Sequence, residues 1–144
     1  MPSPKPLAAA VAIIMASVVA ARAQVREPEP GEGVICAWAI YSAMIEVASR
    51  CFPGEHADVQ VALRDGVSRI DDYVRRNGEP PPSEEDIARF KREQGLVGAP
   101  TEQLCHGDAV GMYHAIAAQG AEKIRESIDA VVARPGRPSW GTCL

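Results

Sequence analysis

From Val34 to Cys51 the chain is apolar nearly all round, with Val34, Trp38, Tyr41, Ile45 and Ala48 on one helical face and Cys36, Ile40, Met44 and Val47 on its neighbour. A helix without a polar stripe has no side to give to water, so this pattern predicts the central, most buried helix of the molecule. Phe52-Pro53-Gly54 breaks it. Beyond the break, Val59, Leu63, Val67, Ile70 and Val74 recur at spacings of four, four, three and four, the single stripe of an amphipathic helix from about Glu55 to Arg76. Its ends carry the charges that a helix dipole favours: Glu55 and Asp58 near the start, Arg75 and Arg76 before Asn77-Gly78 at the finish.

Glu79 to Pro82 reads as a rigid loop. Ser83, with Asp86 three positions on, resembles a capping box in which Asp replaces the usual Glu or Gln, and it opens a short helix, Glu84 to Gln94, ended by Gly95 and anchored by Ile87 and Phe90. After the loop Gly95 to Pro100, a last long helix is expected to begin near Thr101 or Asp108 and to reach Arg134. Val110, Ala117, Ile124 and Val131 fall every seven residues along it, with Tyr113 or His114, Ala121 and Ile128 between them. Gly107, Gly111 and Gly120 each cost roughly 1 kcal/mol in a helix interior. Their expected use is to let a neighbouring helix approach closely, with a kink or ligand notch as the second reading. Pro135-Gly136 stops the helix and leaves Arg137 to Leu144 as a tail. Almost no stretch alternates with period two, so the pattern predicts an all-α fold: a small antiparallel up-down bundle of about four helices.

The first 23 residues read as an address rather than as structure. Lys5 supplies a positive start, Leu7 to Ala20 is apolar except for Ser17, and Ala21-Arg22-Ala23 has the small-x-small pattern that a signal peptidase accepts. A membrane-spanning helix needs about 20 apolar residues, and this run stops short at an arginine, so residues 1–23 are expected to be a signal peptide and no membrane insertion is expected after its cleavage. No cysteine ends the run and no twin arginine precedes it. Residues 24–33, Q-V-R-E-P-E-P-G-E-G, then form a loose leader, and residues 34–144 a single helical domain. The 144-residue chain is 47% hydrophobic with a formal charge of −4, which excludes a disordered protein and gives no basic excess for nucleic acid. Removal of Lys5 and Arg22 takes 15 basic side chains to 13 against 19 acidic ones, a net charge of −6.

Export changes the reading of the cysteines. Cys36, Cys51, Cys105 and Cys143 are even in number, and in a periplasmic or secreted protein this implies two disulfides. No two stand at the short spacing of a zinc knuckle, and the position that should open C-x-x-C-H before His106 is Glu102. Geometry narrows the pairing. Cys36 and Cys51 lie about 22 Å apart along one continuous helix, whereas bridged Cα atoms lie within about 7 Å. In an up-down bundle the first helix ends where the last one starts, which pairs Cys51 with Cys105 and Cys36 with Cys143.

Site chemistry is sparse. His106 and His114, on one helix, would stand about 12 Å apart, and His56 sits near the start of the second helix. Ser42, Ser49, Ser68, Ser83, Ser127 and Ser139 all lack the G-x-S-x-G setting. Asp71-Asp72 and Glu84-Glu85-Asp86 read as solvated faces, because adjacent acids on a helix point in different directions. No G-x-G-x-x-G, phosphate loop, calcium loop or H-E-x-x-H is present. No catalytic residue, metal ligand or cofactor is therefore assigned.

The stretch from Cys36 to Asn77, with Tyr41 in a leading apolar helix, Cys51-Phe52-Pro53-Gly54, and an amphipathic helix ending Tyr73-Val74-Arg75-Arg76, resembles the small exported helical immunity proteins of the Rap/Tai type. Those proteins are periplasmic, carry disulfides and neutralise cell-wall amidase toxins. The chain lacks the family's glycine-tyrosine repeat around the first cysteine and continues well beyond the matched stretch, so no functional residue is carried over. The resemblance implies a protein-binding role. Binding of another exported protein is the expected function, with a small-ligand or metal carrier inside the bundle, or an enzyme with a non-local site, as alternatives. The expected contact surface joins Glu79 and Ser83 of the proline-rich loop to Glu84, Glu85 and Asp86 at the start of the third helix, acids that also cap that helix and keep the protein soluble.

Overall fold

In the computed structural model of the protein, which describes residues 26–141 and residue 143, the apolar helix lies deepest. This helix, α1, spans Val34–Cys51 and buries Val34, Ala37, Trp38, Tyr41, Met44 and Val47 among others. It is long and apolar enough to cross a membrane, but most of it is enclosed by the rest of the protein, as befits a core helix. The expected signal peptide and the first two residues of the expected leader lie outside the described residues.

The amphipathic helix α2 spans Ala57–Asn77 and buries all five stripe positions, Val59, Leu63, Val67, Ile70 and Val74. Each such side chain contributes about 1.5–3 kcal/mol on leaving water. The helix starts two residues later than the charges suggested, because Glu55 closes a turn onto the Phe52 carbonyl and His56 is left-handed (φ 48°). Helix α3, Glu84–Glu93, opens on the anticipated capping box: Ser83 Oγ accepts from the Asp86 N–H, and the Asp86 carboxylate accepts from the Ser83 N–H. Ile87 is buried, and Phe90 packs on the core.

The expected last helix is two helices, α4 (Thr101–His106) and α5 (Asp108–Val132). Gly107 is extended and separates them, and Gly120, at φ 83° and ψ 163°, interrupts the helical geometry inside α5. The close-approach role expected of these glycines does not hold at Gly111 or Gly120, where a Cβ would meet nothing within 4 Å. Gly120 marks a kink, at a φ that glycine adopts without steric cost. The glycine that does admit a neighbour is Gly66 on α2, where a Cβ would run into Cδ1 of the buried Ile128 on α5.

Side-chain pairings fix the topology. Helix α2 runs against α1 and alongside α5. Tyr113 of α5 lies beside His56 at one end, while at the other the Tyr73 hydroxyl donates to the carbonyls of Arg134 and Gly136, at 2.8 and 3.0 Å. Helix α3 climbs beside α1, and past its end Arg50 of α1 donates to Ala99 O and Thr101 Oγ1, both at 2.6 Å. The buried side chains of all five helices form one hydrophobic cluster. The fold is thus a small all-α bundle with α1, α2 and α5 at its centre. It is stapled as the up-down order requires: Cys51 to Cys105 with Cα atoms 5.5 Å apart, and Cys36 to Cys143 with Cα atoms 5.4 Å apart.

The leader and the tail are less free than their composition suggested. Arg134 donates to the Pro28 carbonyl and pairs with Glu27, Ser139 N–H donates to Gly31 O at 3.0 Å, and Ile35 N–H donates to Ser139 O at 3.2 Å. These bonds and the Cys36–Cys143 bridge lay residues 134–139 across the start of α1.

Candidate functional site

Two helices deliver an aromatic ring to the same place. Trp38 of α1 and Phe90 of α3 stack with centroids 4.1 Å apart and planes 13° from parallel. The indole N–H of Trp38 points inward and donates to Asp71 Oδ1 of α2 at 2.7 Å, and the other oxygen, Oδ2, accepts from Lys91 Nζ of α3 at 2.6 Å. The Asp71 side chain is only 12% exposed. A carboxylate so placed costs several kcal/mol unless it is paired and hydrogen-bonded, and here one cation and one neutral donor do both. The expectation that Asp71-Asp72 forms a solvated face therefore holds for Asp72 and fails for Asp71. The signal was in the spacing: Asp71 lies four after Val67 and three before Val74, on the apolar stripe itself.

Outside this clasp the aromatic file continues. Trp140, in the tail, lies 6.2 Å from Phe90 between centroids and is 51% exposed. Next to this file, Ile35, Trp38, Val74 and Phe90 line a groove of about 380 Å³. Pro80 and Pro82 from the loop and Pro138 from the tail also line it, with Glu79, Asp86, Arg89, Glu93 and Arg137 as its charged residues.

The acidic turn expected to meet a partner borders this groove, but it is not a free negative patch. Arg75 of α2 holds Glu84 in a two-pronged pair, Nε to Oε1 at 2.8 Å and Nη2 to Oε2 at 3.0 Å. Asp86 accepts from Ser83 N–H at 3.0 Å and Ser83 Oγ at 2.7 Å, and pairs with Arg89. The Arg75 hydrogen bond holds the Glu84 carboxyl below its usual range, and the Ser83 hydrogen bonds do the same for Asp86. Both stay charged further into acid than free carboxylates. Any stability they add is present above the ordinary carboxylate pKa and is lost as pH falls through the lowered values. Glu79 and Glu85 are exposed.

At the opposite end of the bundle the fold makes a second cluster, which the sequence did not announce. Phe52 stacks on Tyr113 at 5.2 Å, His114 meets the edge of Phe52 at 4.8 Å, and His56 Nδ1 lies 3.5 Å from the Tyr113 hydroxyl. Burial, followed by the nearby charges of Glu55 and Asp58, pushes the Tyr113 hydroxyl up from its ordinary pKa. Two of the three histidines thus meet around one tyrosine, and His106 stays apart at the end of α4. Among the described residues, no group of three or more His, Cys, Asp or Glu side chains is placed to hold a metal ion.

No family model, no curated protein and no solved structure matches the chain. The resemblance to exported immunity proteins rests on the stretch from Cys36 to Asn77 alone.

Proposed function

We propose that the protein is exported to the periplasm or secreted, and that it acts by binding another exported protein, as an inhibitor or immunity-like partner. The contact face is the loop Glu79 to Ser83, the start of α3 and the adjoining tail. The observation that carries this reading is the aromatic file Trp38–Phe90–Trp140, which runs from the core, past the groove that Phe90 shares with Pro80 and Pro82 of that loop, to an exposed tryptophan. Interface energy concentrates in such anchors, Trp above all, when they border a desolvated pocket. The face is also rigid, because the Asp71 clasp, the Ser83 cap and the Cys36–Cys143 bridge hold its parts, and rigid faces lose little entropy on association. Two disulfides suit an oxidising compartment. The apolar run before Ala23 supports cleavage between Ala23 and Gln24.

Replacement of Glu84, Glu85 and Asp86 by lysine tests the face. Capture of the partner from periplasmic extract is expected to fall clearly below wild type, while far-UV circular dichroism stays unchanged and the melting temperature drops only by the loss of the cap and of the Arg75 and Arg89 pairs. Undiminished capture removes the acidic turn from the contact surface. A wild-type protein that captures nothing contradicts the binding role itself.

A further inference from the structure

The groove floored by Trp38 and Phe90 discriminates among the shapes a protein segment can present. Pro80, Pro82 and Pro138 line it and carry no N–H, and the one polar atom of Trp38 is already given to Asp71. A strand could not dock by edge pairing, since the described residues contain no strand. An α-helix is about 10–12 Å across and could place no more than a side chain in a space of about 380 Å³. A polyproline II segment has the opposite requirements: it forms no internal hydrogen bonds, keeps its backbone solvated, and lays its rings on aromatic and proline surfaces.

The charged groups at the groove choose the flank. Arg89 and Asp86 are spent on each other. Among the described residues Glu79, Glu93 and Arg137 have no ion-pair partner, so the unneutralised groups are acidic by two to one. Resting on the binding role proposed above, we infer that the groove takes a proline-containing polyproline II segment of the partner protein, flanked by arginine or lysine residues, one to meet Glu79 and one to meet Glu93.

Trp38 lines the groove and Trp140 lies beside its Phe90, and these are the two tryptophans of the chain, so intrinsic fluorescence reports on this face of the molecule. The signal-free protein with both disulfides intact is titrated with the peptide acetyl-Arg-Pro-Leu-Pro-Pro-Leu-Arg-amide, with the same peptide carrying Glu for both Arg, and with one carrying Ala for every Pro. The first is expected to give a saturable change in tryptophan emission, the second weaker binding and the third none. Phe90→Ala should abolish the response, but Phe90 also packs on Trp38, so the exposed change Glu93→Lys carries the test. It should weaken the arginine peptide roughly two- to fivefold, the size of one solvent-exposed ion pair, and strengthen the glutamate peptide. Equal binding of the proline-free peptide, or an unchanged affinity order in Glu93→Lys, overturns the inference. Absence of any saturable response from a protein that still captures its partner also overturns it and leaves the binding role standing, whereas loss of capture by the wild type contradicts that role instead.

Discussion

Asp71 joins three helices through one carboxylate, taking a neutral donor from α1 and a cation from α3. Asp71→Ala would leave the Trp38 N–H and the mostly buried Lys91 ammonium without their partner. Removing one member of a buried pair costs more than the pair is worth, so the expected loss is about 3 kcal/mol in a urea titration with unchanged slope. Asp71→Asn, which keeps an oxygen for Trp38, should lose less. An alanine variant within about 0.5 kcal/mol of wild type, the range of ordinary surface changes, would show the clasp to be idle. Residue-level legibility was uneven for a physical reason. Ser83 and Asp86 form their cap within one turn, so the sequence shows it, whereas the partners of Asp71 stand 33 and 20 positions away. The sequence places Trp140 only in a tail, because nothing near it in the chain signals Phe90.

Among the elements, the helices that bury one stripe were readable and the interruptions were not. Period and caps place α1, α2 and α3 to within two residues, since each pattern is local. The glycines behave differently because a neighbour decides their meaning. Gly66 sits in the middle of α2 and Gly111 in the first turn of α5, and only Gly66 faces Ile128. Helix propensity favours Gly66→Ala by about 1 kcal/mol, while overpacking a filled core costs about 1–3 kcal/mol, and Ile128 is fully buried and has little room to yield. The alanine variant is therefore expected to be destabilised. Ile128→Val removes the atom that the new methyl meets, so the double variant should be more stable than the sum of the single changes predicts. Strict additivity in chemical denaturation would mean that α2 and α5 do not touch at this point.

In the whole molecule the two bridges are nested: Cys51–Cys105 spans 54 positions inside the 107 of Cys36–Cys143. Loop-closure entropy gives the inner bridge about 4 and the outer about 5 kcal/mol, and the proposed contact face gives them different weight in binding. The inner bridge ties α1 to α4, away from the groove, while the outer one holds the tail that carries Pro138 to the groove and Trp140 to Phe90. Cys36→Ser with Cys143→Ser is expected to weaken partner capture strongly, and Cys51→Ser with Cys105→Ser only mildly, at temperatures where both pairs of changes leave helical circular dichroism intact. The reverse order would detach the tail from the contact face. The pairing was legible because the direction of each helix follows from short connections, but the groove was not, since its walls come from a loop, a helix and a tail that meet only in three dimensions. The most direct test of the proposed contact face is photo-crosslinking in the native host, with a benzophenone amino acid at position 140, next to Phe90 of the groove, or at position 61, where Val61 on the first half of α2 is 43% exposed against 51% for Trp140. A discrete protein adduct from position 140 and none from position 61 is expected; adducts from position 61 alone, or equal adducts from both, would contradict a contact face at the Phe90 groove.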